Sequence, residues 1–111
     1  MPTIAWPDFE KIDLRAGTIL EVNDFPHAKK PAWQLTIDFG ELGIRRSSAQ
    51  ITDLYEKQEL IGKQVIAVVN FPPKQIANFF SECLVLGVYT HKKEVVLLTP
   101  DKPVGNGWKI G

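Results

Sequence analysis

Between Trp33 and Phe39 every second side chain is large and apolar. Trp33, Leu35, Ile37 and Phe39 alternate with Gln34, Thr36 and Asp38, a period of two that marks a strand with one buried face. Such a strand must lie in a sheet that covers that face, so the remaining chain has to supply its partners. Leu14 to Phe25 offers the next clear strand, with Leu14, Ala16, Thr18, Leu20 and Val22 alternating with mostly polar neighbours. Gly17 inside it, like Gly87 further on, predicts a bulge, a bend or a close backbone approach.

Gly40-Glu41-Leu42-Gly43 is a turn that returns the chain into a third strand at Ile44–Ala49. Val65–Val69 is a continuous run of aliphatic residues, predicted as a strand buried on both faces, and Phe71-Pro72-Pro73 ends it because proline lacks a ladder donor. Glu82–Tyr89 and Glu94–Thr99 complete the set around the polar turn His91-Lys92-Lys93. Two short helices are expected. One is a single turn at Phe9–Ile12 capped by Asp8; the other spans Leu54–Lys57, capped by Thr52 or Asp53 and closed by Gly62. Five strands with a helix after the third predict an all-β fold, a five-stranded OB-fold barrel, since closure removes reactive sheet edges. At 111 residues the chain is expected to form a single domain, residues 1–111.

Composition narrows the function. Thirteen basic residues balance thirteen acidic ones. A general nucleic-acid binder carries a basic excess, so any such site here is a local patch. Cys83 is the single cysteine, which forbids an intrachain disulfide, and its apolar neighbours predict a core position. The N-terminus has no basic region followed by an apolar one, and no window has the roughly 18 apolar residues of a membrane span. The expectation is a soluble cytoplasmic protein without membrane insertion.

Catalytic signatures are missing. His27 and His91 are in turns and not at metal-ligand spacing, and there is no nucleophile elbow, Walker loop or dinucleotide-binding glycine pattern. The expectation is a non-enzyme with no cofactor, metal or catalytic residue. Binding residues are easier to nominate. Lys29-Lys30, Arg45-Arg46 and Lys74 can converge on the face that OB-folds use for ligands, with Trp33, Phe71, Phe79 and Phe80 nearby. Aromatics among positive charges suit an extended apolar peptide or stacked bases. Phe71, Phe79 and Ile51 are expected to line an apolar pocket, with Arg45, Arg46 and Lys74 steering charge. Trp6, Val104, Trp108 and Ile110 are apolar residues that no predicted strand covers, which points to burial between two copies of the chain.

The segment from Asn70 to Leu86 resembles the signature of the tRNA-binding-domain family: an asparagine, a Pro-Lys pair at Pro73-Lys74, and a serine at Ser81. That family includes C-terminal appendices of methionyl-tRNA synthetases and free-standing dimeric tRNA-binding proteins. Lys30-Pro31-Ala32, Ile37–Gly40, Ser47–Thr52, Val68–Pro73 and Ser81–Gly87 resemble its CsaA-type branch of secretion chaperones. The resemblance implies an OB-fold homodimer joined through its N- and C-terminal segments. It also implies binding of unfolded exported proteins and of the export motor ATPase, and it adds Ser81 and Leu84 to the site. Asn78 stands where the family has glycine, and Leu84 where the RNA binders have methionine. Phe79, Phe80 and Glu82 tilt the site from tRNA toward peptide.

Overall fold

The computed structural model describes residues 1–111. Its organising element is β1 (Leu14–Asp24), a strand long enough to serve two partners in succession. The first half pairs antiparallel with β4 (Gln64–Val68) and the second with β2 (Trp33–Asp38); Thr18 faces Gln64 on one side and Asp38 on the other. A register shift between Ile19 and Glu21 sets an extra residue, Leu20, in the strand and bends it. The bulge therefore falls at Leu20 rather than Gly17. Gly17 answers to close approach instead, since a Cβ there would lie 2.7 Å from Ile37 and Phe39.

β2 pairs in turn with β3 (Ile44–Ala49), and β4 with β7 (Leu84–Val85), giving the order β3-β2-β1-β4-β7. Ile19, Leu35, Ile37, Phe39, Leu60, Val65 and Ala67 have no measurable exposure and form the centre of the core. The expected alternation of β2 is realised, with Leu35, Ile37 and Phe39 inward. β4 comes close to the expectation of two buried faces: Val65 and Ala67, with Val69 just beyond, enter the core, and on the other face Val68 is buried and Ile66 half-buried.

The ends of this sheet meet through side chains as well as backbone. The Glu82 amide donates to the Arg46 carbonyl at 2.8 Å, and the Arg46 amide donates to the Glu82 carboxylate at 3.0 Å. Ser81 Oγ accepts from the Ser48 amide at 3.1 Å, and Ser47 Oγ donates to the Cys83 carbonyl at 2.9 Å. Strand β3 thus has no bare edge, and the five-stranded antiparallel barrel is nearly closed, as an OB-fold requires.

Both helices lie off their expected positions. α1 (Trp6–Glu10) begins before Asp8, which sits in its first turn and accepts from the Ala5 amide at 2.9 Å. α2 (Lys57–Leu60) follows Glu56, whose amide donates to Glu59 at 2.8 Å, so a carboxylate in the first turn replaces the expected Thr52 or Asp53 cap. Past β4 the chain makes a hairpin that the sequence reading lacks: β5 (Lys74–Ile76) and β6 (Phe79–Ser81). Its two-residue turn puts Ala77 in left-handed geometry at φ 54°. Beyond β7, β8 (Gly87–Tyr89) and β9 (Val95–Leu97) form a second hairpin.

The C-terminal tail runs beside the start of β1. The Ala16 amide donates to the Trp108 carbonyl and the Ile110 amide to the Leu14 carbonyl, at 3.1 and 2.9 Å. At the tail's turn Gly107 has φ +86° and so little room that a Cβ would meet the Phe39 carbonyl oxygen at 2.3 Å. The tail is therefore an integral strand-like part of the sheet.

Candidate functional site

The loop from β1 to β2 and the β5–β6 hairpin are drawn together by a small second core. Phe25, Ala32 and Phe79 are buried there, with Ala28 and Ile76 packed against them. The Phe25 and Phe79 rings lie 5.3 Å apart at 53°, a tilted pair favoured by ring quadrupoles. Loop and hairpin thus form one wall beside β3.

On that wall the Arg46 guanidinium lies 4.4 Å from the Phe79 ring centroid. Its Nη2 also donates to Gln34 Oε1 on the adjacent strand at 3.3 Å. The three ion pairs of the molecule are Lys11–Asp8, Arg15–Asp13 and Lys57–Asp24. Arg46, Lys74, Lys29 and Lys30, all exposed, therefore have no acidic partner, and a local basic face exists despite the balanced total charge.

The nominated residues separate into three groups. Arg46, Phe79, Ser81 and Lys74 come together around β3 and the hairpin, where Lys74 is the cross-strand partner of Ser81. Phe79, however, is 3% exposed and Ile51 is 4% exposed, Ile51 in the main core. Neither lines an open pocket. The exposed aromatics beside this wall are Phe71, entering the hairpin, and Phe80, on the hairpin face opposite Phe79. Arg45 alternates away from Arg46 and turns inward, its Nη1 donating to the Val69 carbonyl at 2.6 Å. It ties β3 to the end of β4 and is absent from the basic face.

Leu84 belongs to a third place. As cross-strand partner of Val68 it projects from the outer face of the sheet, together with Ile66. A groove of about 240 Å³ on this face is lined by Ala16, Ile66, Val104, Trp108, Ile110 and neighbours. Three of the four residues nominated for pairing of two chains thus share one apolar groove. Trp6 is separate, 65% exposed and packed on Phe9 with ring centroids 5.4 Å apart. A larger groove of about 340 Å³ lies between Arg15, the Gly40–Leu42 turn and Trp108, and includes none of the basic face.

Gln34 is the site residue that sequence reasoning passes over. Its polar, outward position on β2 is legible, but its reach to Arg46 depends on the β2–β3 register, which pairs Gln34 with Ser48 and Thr36 with Arg46. Cys83 is in the core as expected. Burial pushes its thiol up from 9.0 to about 11, against the opposing pull of the Ser47 hydroxyl and Arg45. A thiol held protonated in this way is a poor nucleophile.

Comparison with known proteins accords with this architecture. The chain superposes on the chaperone CsaA of Bacillus anthracis with a TM-score of 0.94 and 50% identity, covering 99% of this chain and 100% of that one. For the CsaA chaperone protein of Picrophilus torridus the values are 0.92 and 58%, with 98% and 100% covered. Methionine–tRNA ligase of Nanoarchaeum equitans is 38% identical over 109 residues, 96% of this chain but 13% of the ligase. The chain thus spans only a small part of that curated relative. Residues 14–109 match the model of the putative tRNA binding domain, and the chain belongs to that family.

Proposed function

We propose that this protein is a non-catalytic chaperone of the CsaA type that works as a homodimer in the cytoplasm. It holds unfolded segments of exported proteins at the wall formed by β3 and the β5–β6 hairpin and hands them to the secretion motor ATPase. The observation that carries this reading is the exposure of Phe71 and Phe80, 54% each, at the hairpin that also bears the unpaired Lys74 on its other face. Large exposed aromatics are apolar contact area for an extended chain, and the cations raise its encounter rate. The near end-to-end likeness to two CsaA chaperones supports the same reading. The apolar groove at Ile66, Val104, Trp108 and Ile110, continued by Leu84, is the proposed seat of the second copy.

A second reading, tRNA binding, is favoured by one specific observation: Arg46 and Lys74 lack acidic partners, which leaves their charge available to phosphate. The test of the first reading is suppression of aggregation when a denatured exported protein is diluted into buffer. The wild type is expected to keep the client soluble and the Phe71→Ser, Phe80→Ser double variant to lose most of that effect while remaining folded. Equal protection by both proteins would contradict the proposed site.

A further inference from the structure

The wall beside β3 contains a cation whose orientation is set before any ligand arrives. We infer that Phe79 and Gln34 are positioning residues that hold Arg46 as a receptor for a carboxylate. The face then selects unfolded segments in which an acidic side chain stands among apolar ones. This rests on the chaperone reading and names the client chemistry of that site.

Four features carry it. The Arg46 guanidinium rests on the Phe79 ring at 4.4 Å, which fixes the plane of the group through cation–π attraction. The ring itself is buried and pinned by Phe25 and Ala32, so Phe79 acts through Arg46 and not by touching a client. Gln34 Oε1 accepts one N–H at 3.3 Å, and a guanidinium has five, in a fork that matches a carboxylate bidentately. Glu82, the acid across from Arg46, spends its carboxylate on the Arg46 backbone amide at 3.0 Å. The guanidinium is left as an oriented donor without an anion. Lys74 lies on the same face of the hairpin as Phe79 by register and adds positive potential without directional demand.

The experiment uses two labelled, unstructured peptides of identical apolar sequence, one with a central Glu and the other with Gln. Binding is measured by fluorescence anisotropy at physiological salt, with unlabelled tRNA as a competitor arm. The wild type is expected to prefer the Glu peptide roughly 10-fold, the value of one charge-assisted hydrogen bond. Gln34→Glu, an isosteric change, gives Arg46 an internal partner and should bring the preference close to one. Phe79→Leu should lower the preference in the same way, its fold checked by circular dichroism. Gln34→Glu keeps the test decisive if that variant does not fold. A wild type that binds both peptides equally, or variants that keep the full preference, would overturn the inference alone. Failure to bind either peptide while tRNA binds would overturn it together with the chaperone reading.

Discussion

The Glu82 carboxylate accepts a hydrogen bond from the Arg46 backbone amide at 3.0 Å, whereas the Arg46 side chain lies over Phe79. An acid and a base that face each other across a seam thus avoid neutralising one another. The acid completes the edge of β3 and the base stays available. Glu82→Gln keeps an acceptor for the amide and is expected to leave stability within about 0.5 kcal/mol of wild type. Glu82→Ala removes the acceptor and is expected to cost about 1 kcal/mol. Urea denaturation of the two variants checks the difference; equal loss in both would mean that the charge, not the hydrogen bond, matters at the seam.

The seam makes a second demand at Ser47, which is 1% exposed and donates to the Cys83 carbonyl. Ser47→Ala leaves the Cys83 carbonyl only the longer bond from Ser81 Oγ, at 3.4 Å, and is expected to lower stability by about 1 kcal/mol. Ser81→Ala, at a half-buried site where water can replace the hydroxyl, is expected to cost less. The order of the two urea midpoints is the measurement.

Gly17 is a site of contact, not of curvature. Gly17→Ala drives a Cβ to 2.7 Å from Ile37 and Phe39, an overpacking expected to cost about 1–3 kcal/mol. Combining it with Phe39→Leu should restore part of the loss, because the smaller side chain vacates the space the new methyl needs. Thermal melting of the single and double variants tests this, and strictly additive losses would contradict it.

Cys83 gives the stability a pH dependence of defined sign. Unfolded, its thiol ionises near 9.0; folded, burial holds the proton until about 11. Between these values the native state binds more protons, so stability falls as pH rises through the window. The contribution is complete below pH 9 and gone above pH 11, amounting to about 3 kcal/mol. Cys83→Ala should flatten that decline relative to wild type in urea titrations at pH 8 and pH 11. Parallel declines in the two proteins would refute it.

How much of this was legible in the sequence follows from the range of the interactions. The alternation of Trp33–Phe39 reports burial directly, because a period of two puts Leu35, Ile37 and Phe39 on one face whatever the partner strands are. The apolar tail residues Val104, Trp108 and Ile110 were legible as apolar surface because no predicted strand covers them; Trp108 is exposed and the other two half-buried. The division of Arg45 from Arg46 was equally available, since neighbours in a strand point to opposite faces. Phe79 was not legible as core. Its burial is created by Phe25 and Ala32, which arrive from a distant loop, and a local reading sees only an aromatic between an asparagine and a second phenylalanine. Leu84 likewise changes face through its partner Val68, and register between distant strands is set by the whole barrel.

Pairing of two chains has a direct check at the outer face. Leu84, 48% exposed, and Trp108, 65% exposed, are expected to be covered in the homodimer. Leu84→Lys with Trp108→Lys should convert the proposed dimer to a folded monomer in sedimentation equilibrium. Deletion of the tail is a poorer test, because residues 108 and 110 also hold β1 through backbone hydrogen bonds. A monomeric wild type at micromolar concentration would contradict the proposed assembly.

The central claim, that the wall beside β3 holds unfolded polypeptide, is tested most directly by one competition measurement. Wild-type protein is mixed at physiological salt with a labelled denatured exported protein and increasing bulk tRNA, and bound client is followed by anisotropy. Client binding is expected to survive excess tRNA and to change little with salt, since apolar contact carries most of it. The Phe71→Ser, Phe80→Ser variant should lose it. Retention of tRNA alone, with affinity falling steeply as salt rises, would contradict the account and assign the same surface to nucleic acid.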